Sequence, residues 1–165
     1  MKNVFYTLVL MLIFIGSAAA QQTQAIKIGP LGFLFGNYNA RYEKALNDKS
    51  SFQVGANFFN YEVLDEGVTG FGVDLGYRYY FREAIEGAYV SPAVGFDLLK
   101  TFDLNYSTLG LGATVGYQWV AGGGFVVDLG LGYGYNVLVN LDEGLNEDEY
   151  GGGGVRFTFA LGYAF

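Results

Sequence analysis

Val155-Arg156-Phe157-Thr158-Phe159-Ala160-Leu161-Gly162-Tyr163-Ala164-Phe165 closes the chain, and its reading decides the fold. Each odd position holds a large apolar or aromatic residue, and each even position a small or polar one. A β-strand sends successive side chains to opposite faces, so this segment is a strand with one greasy face and one narrow, polar face.

The same period of two runs back through the chain. Residues 125–135 set Phe125, Val127, Leu129, Leu131, Tyr133 and Tyr135 against Val126, Asp128, Gly130, Gly132 and Gly134. Residues 108–119 set Leu109, Leu111, Ala113, Val115, Tyr117 and Trp119 against Thr108, Gly110, Gly112, Thr114, Gly116 and Gln118. Residues 70–81 set Phe71, Val73, Leu75, Tyr77, Tyr79 and Phe81 against Gly70, Gly72, Asp74, Gly76, Arg78 and Tyr80. Weaker alternation marks residues 89–98, 51–61 and 37–46. Residues 26–35 begin in phase at Ile26 and Ile28, then slip at Gly29-Pro30 so that Leu31, Phe33 and Phe35 continue the greasy face. A bulge or strand end at the Gly-Pro accounts for the slip. The expected total is eight strands.

The glycine-rich face would make a poor water-facing surface. Turned inward, it lets a narrow barrel close, while the Leu, Val, Phe and Tyr face meets lipid. Segments of about ten residues also match what a tilted strand needs to cross a bilayer. The expected fold is all-β, an eight-stranded antiparallel up-and-down transmembrane β-barrel. A soluble exported barrel binding a lipophilic ligand is the alternative architecture. With a periplasmic N-terminus, the inner connections fall at residues 47–50, 82–88 and 120–124. The outer ones, expected to be longer and acidic, fall at 62–68, 99–107 and 136–152, with a tight first turn at Gly36-Asn37. Tyr79, Phe81, Tyr89, Trp119 and Phe125 gather at the inner strand ends, together with Tyr163 and Phe165, as an interfacial aromatic belt.

Composition agrees. Of 165 residues, 52% are hydrophobic, 18% aromatic and only 15% charged, with 26 Gly. Residues 1–20 read as a signal peptide: Lys2 is the positive n-region, residues 4–15 are apolar apart from Thr7, and Ala18-Ala19-Ala20 forms an A-x-A site with cleavage before Gln21. The barrel domain is then residues 21–165. Losing Lys2 leaves this domain with eight basic against 16 acidic residues, without clustered Lys or Arg, which excludes nucleic acid as a partner. The chain has no Cys and no His. Thiolate chemistry, imidazole metal sites and the usual general base near neutral pH are all out of reach, so an enzyme is not expected.

The inward face carries Lys27, Arg41, Glu43, Asp74, Arg78, Asp97, Asp128 and Arg156, equal in positive and negative charge. Buried charges must pair or cost several kcal/mol each, so a plugged lumen held by an Arg–carboxylate network is the expected arrangement. A polar path for small solutes is the alternative. Asp142, Glu143, Glu147, Asp148 and Glu149 make the last outer loop acidic. They read as a solvated loop, and as weak candidates for a hard cation, without the spacing of an EF-hand. The Gly-x-Gly runs lack a following Lys-Ser/Thr and a helix, so no phosphate cradle or other cofactor site is expected.

The C-terminal Phe165, with Tyr163, Leu161, Phe159 and Phe157 at every second position before it, resembles the terminal-strand signal read by the bacterial barrel-assembly machinery. The runs AIKIGPLGFLFGNYNARYEKALNDKSS, GFGVDLGYRYYFREAIEGAYVSPAVGF and FTFALGYAF resemble an uncharacterised outer-membrane barrel family common in Bacteroidetes-type bacteria. In size and topology the chain is similar to the small OmpA-type and OmpX-type barrels. The resemblance implies an integral outer-membrane location and brings no catalytic residues. The tight first outer turn departs from the long loops of adhesive OmpX-type barrels. The expected role is structural or surface-interacting, with outer-membrane lipid, lipopolysaccharide and the assembly machinery as partners and a monomer as the working state. Transport or binding of a small solute or lipophilic ligand in the lumen is the alternative.

Overall fold

In a computed structural model that describes residues 22–63, 66–101, 104–141 and 151–165, the closing stretch lies in a strand, β8 (Gly152–Ala164). It pairs with β7 (Phe125–Leu141) from Phe125↔Tyr163 to Asn136↔Gly152 without a register shift. The preceding elements are β1 (Gln24–Ile28), α1 (Pro30–Leu34), β2 (Asn37–Asn47), β3 (Ser50–Val63), β4 (Glu66–Tyr80), β5 (Gly87–Thr101) and β6 (Leu104–Val120). Each strand pairs antiparallel with the next, and β1 closes on β8, giving an eight-stranded up-and-down barrel. The ends of the described chain are tied together: Phe165 N–H donates to the Gln24 carbonyl, and its own carbonyl accepts from Thr23 and Gln24.

The period of two places the two faces as a membrane barrel requires. Leu111, Leu131 and Phe157 are 58%, 58% and 63% exposed, while Lys27, Glu43 and Asp128 are buried. This inverts the distribution of a soluble barrel and presents a continuous apolar belt of a size that water-soluble monomers rarely expose.

Three expectations need correction. The greasy face does not continue as strand after Gly29-Pro30. β1 stops at Ile28 and α1 follows, because Pro30 suits the first turn of a helix, where its missing N–H goes unused. Second, the outer connections expected at 62–68 and 99–107 are largely strand, with pairing to Val63↔Glu66 and Thr101↔Leu104. Charged and turn-forming residues there suggested loops, but strand beyond the lipid need not be apolar. Strands β3 to β7 run 14–17 residues, whereas about 9–11 cross a bilayer, so this side of the wall rises past the apolar belt.

Third, Tyr89 is not an interfacial aromatic. It is buried inside the barrel, because it shares parity with Ser91 and so faces inward. Tyr79, Phe81, Trp119 and Phe125 are exposed on the outer face near the end that holds the described termini.

Candidate functional site

The inward side chains meet at two levels. At the terminal end of the bore, Lys27 on β1, Glu43 on β2, Arg78 on β4 and Asp128 on β7 form one buried quartet. Lys27 Nζ donates to Glu43 Oε2, to Gln118 Oε1 at 2.7 Å and to Asp128 Oδ2 at 3.0 Å. Arg78 reaches Asp128 Oδ2 at 2.8 Å and Glu43 Oε2 at 3.6 Å. Glu43 also accepts from Ser51, from Gln53 at 3.2 Å and from the Tyr80 hydroxyl at 2.6 Å. The Tyr89 hydroxyl donates to Asp128 Oδ1, and its ring lies 3.9 Å from the Arg78 guanidinium carbon. Two cations and two carboxylates cancel, and the surrounding hydroxyls and amides take up the remaining hydrogen bonds except that of Arg78 Nε. Both conditions are needed for charges out of water.

The turn between β4 and β5 seals this end. Ala84 N–H donates to the Asp48 carbonyl at 2.7 Å, anchoring the turn across the mouth. Ile85 adopts φ 74°, rare for a β-branched residue, and is 1% exposed among Ala25, Tyr80, Tyr89, Val126 and Ala164. Its carbonyl accepts from Gln118 Nε2 at 2.6 Å, joining plug to network.

The other half of the bore is open. It holds a cavity of about 340 Å³ whose lining includes Asn39, Arg41, Asn57, Asp74, Asp97, Thr114 and Arg156. Arg41 Nε meets Asp74 Oδ1 at 3.4 Å, and Asn57 Nδ2 donates to Asp74 at 3.1 Å. Asp97 accepts from Thr108 Oγ1 at 3.3 Å, and Arg156 donates to Asn136 Oδ1 at 3.5 Å. The eight charges thus separate into a buried, closely paired quartet, in which, among the described residues, Arg78 Nε alone has no partner, and a more exposed, loosely joined one.

Phe157, Phe159, Leu161, Tyr163 and Phe165 follow one another along the outward face at β8, with the Tyr163 and Phe165 rings stacked at 6.4 Å. Trp119 packs on Tyr117 at 4.5 Å, and Tyr79 on Phe81 at 5.8 Å. Asp142, Glu143, Glu147, Asp148 and Glu149 lie outside the described residues, as do Ala18, Ala20 and Gln21. Among the described residues no cluster of three or more His, Cys, Asp or Glu could hold a metal ion. Sequence reasoning missed Gln118, Tyr80, Ser51 and Ile85 as members of the site. Parity alone marks the first three as inward; nothing local marks Ile85.

Fold and site together define a small closed barrel with an apolar exterior and a charge-filled, plugged bore. The chain belongs to the family described as "Protein of unknown function (DUF3575)", which matches residues 5–151. No curated protein matches it by sequence. Among solved structures it is similar to the Yersinia pestis outer membrane protein Ail in a phospholipid bilayer nanodisc. The TM-score is 0.53 at 15% identity, over 88% of this chain and 100% of that one. The crystal structure of Ail, the attachment invasion locus protein of Yersinia pestis, gives a TM-score of 0.48 at the same identity and coverage. At 15% identity the likeness to the nanodisc structure shows a shared fold.

Proposed function

We propose that the protein is an integral β-barrel of the bacterial outer membrane that catalyses no reaction and serves as a structural or surface-interaction component of the envelope. The observation that carries this reading is the closure of the bore by the Lys27–Glu43–Arg78–Asp128 quartet and Ile85, inside an apolar exterior. A conducting pore needs a continuous water path. Here any solute would have to part ion pairs whose members are almost fully buried, which costs several kcal/mol. The barrel is therefore a sealed post.

The sealed end faces the periplasm, and the tall wall of β3 to β7 stands in the outer leaflet and beyond. There Asn60, Glu62, Thr69, Lys100 and Asn105 give it an exposed polar rim suited to lipopolysaccharide or a surface partner. Residues 1–20 direct export and are removed before Gln21. The assembly machinery reads Phe157, Phe159, Leu161, Tyr163 and Phe165.

The test combines two measurements on the outer-membrane fraction and on refolded protein. The unboiled protein should migrate differently from the boiled protein on a detergent gel, and planar bilayers should record no reproducible channels. A single mobility with the protein in the soluble periplasm would overturn the membrane reading. Steady channels would overturn the sealed post.

A further inference from the structure

Among the described residues, outward-facing strand residues line the cavity on β8. On β2 to β6, only inward-facing residues line the cavity. On β8, Arg156 and Thr158 line it from inside, and the outward-facing Phe157 and Phe159 line it as well. The cavity therefore wraps around the edge of β8.

That edge has no strand beside it. β7 accompanies β8 along its length to Gly152, but β1 pairs with it only from Ala25↔Ala164 to Ile28↔Leu161. The gap beyond Ile28 is filled by α1, whose Leu31 and Gly32 also line the cavity. Among the described residues, no backbone hydrogen bond joins α1 to β8. A bare strand edge facing hydrocarbon is prohibitive, whereas one bordering a polar cavity is tolerated. α1 therefore stands between this edge and the bilayer with no backbone hydrogen bond holding it against β8.

Two charges lining the cavity lack an ion pair among the described residues. Lys27, Arg78 and Arg41 each hold a carboxylate. Among the described residues Arg156 forms no ion pair; it donates to the Asn136 amide with its guanidinium over Gly110 and Gly112, while Asp97 accepts from the Thr108 hydroxyl and lies over Gly72. One cation and one carboxylate thus line the same cavity without an ion pair between them. A ligand carrying a phosphate and an ammonium group satisfies both.

We infer that the outer half of the bore is a side-opening site for a membrane amphiphile with a phosphoethanolamine-type headgroup. The phosphate lies on Arg156 and the ammonium on Asp97. The hydrocarbon leaves between β8 and α1, past Leu31, Phe157 and Phe159, into the bilayer. At about 340 Å³ the cavity is at the small end of ligand pockets, which holds a headgroup and keeps the chains outside. The site rests on the membrane reading above, since it opens onto lipid.

The test uses the full chain refolded into phosphatidylcholine nanodiscs, probed with lysophosphatidylethanolamine carrying a photoreactive group on its acyl chain. Labelled residues are mapped by mass spectrometry. Labelling should concentrate on α1 and the outward face of β8, exceeding that of the choline analogue there. Arg156→Gln should lower it about tenfold, the loss of one charge-assisted hydrogen bond. Leu31→Asp, on an exposed side chain that does not hold the barrel together, should lower it similarly by placing a charge in the path of the hydrocarbon. Leu31→Asp carries the test alone if Arg156→Gln does not fold. Labelling spread evenly around the apolar belt, equal for ethanolamine and choline headgroups, or unchanged by the variants that fold, overturns the site. Failure to enter nanodiscs, with no heat-dependent gel mobility, is a separate result that overturns the membrane reading itself.

Discussion

The Tyr89 hydroxyl donates a 2.7 Å hydrogen bond to Asp128 Oδ1, linking β5 to β7 across the intervening β6. The same ring lies against the Arg78 guanidinium, so one side chain supports both a carboxylate and its counter-ion. Tyr89→Phe keeps the ring and removes the donor. It should lower stability by about 1–3 kcal/mol, the cost of leaving a buried acceptor short of a partner. Urea unfolding of refolded protein, followed by the gel-mobility shift, measures it. No change in midpoint would mean the hydroxyl is replaceable by water.

Room for that ring comes from glycine. A Cβ at Gly116 would lie 2.5 Å from the Tyr89 ring and 2.5 Å from the Leu129 carbonyl, closer than packed atoms approach. Gly116→Ala should therefore destabilise by about 1–3 kcal/mol through overpacking. Part of that loss should vanish in a Tyr89→Ala background, where only the carbonyl contact remains. Full additivity of the two substitutions in a double-mutant cycle would disprove the steric link.

Lys27 contacts both carboxylates of the buried quartet. Lys27→Met leaves Glu43 and Asp128 sharing Arg78 alone, and removing one member of a buried pair costs about 3–5 kcal/mol. Refolding yield and unfolding midpoint should both fall steeply. A near-neutral Lys27→Met would show that water enters this end of the bore and screens the carboxylates.

Ile85 sets two effects against each other. Its left-handed backbone costs about 1–3 kcal/mol, which Gly would relieve. Deleting its buried side chain costs about 2–5 kcal/mol. Packing outweighs strain, so Ile85→Gly should be less stable than wild type by about 1–2 kcal/mol, by the difference of these ranges. A variant more stable than wild type would mean that the plug contributes little packing.

The chain has one Trp, so its fluorescence reports a single site. Trp119 is exposed on the outer face beside Tyr117, near the sealed end. In bilayers with brominated lipids, quenching should be strongest when bromine sits close to the headgroups and weaker at the chain ends, as for an interfacial aromatic. Strongest quenching by bromine at mid-bilayer would move the apolar belt relative to the barrel.

Much of this architecture was legible in the residues. Alternation is a local property: whether Phe157 and Arg156 fall on opposite faces depends only on the strand's own geometry. Strand number, the greasy exterior and the inward direction of all eight charges followed from it. Parity also contained the correct position of Tyr89, although its aromatic character suggested the interface. The outer ends of β3 to β6 were harder to see, because their charged and turn-forming residues resemble loop while the backbone still pairs.

Barrel closure supplied what alternation does not encode. Which charges meet is set by the stagger between strands. Lys27 and Asp128 are 101 positions apart, and only closure brings them within 3.0 Å. Closure likewise separated Asp97 and Arg156 from ion pairing, and drew Ile85 into the bore from a turn with no pattern of its own. The run Leu31-Gly32-Phe33-Leu34-Phe35 is too uniformly apolar for a period of two to be told from one of 3.6. Its helix, and the gap beside β8 that the helix fills, are products of where β1 stops. The order of residues along each strand was enough to set the faces of the wall. Long-range register, which no single strand contains, set the contents of the bore and the place where β8 has no strand beside it.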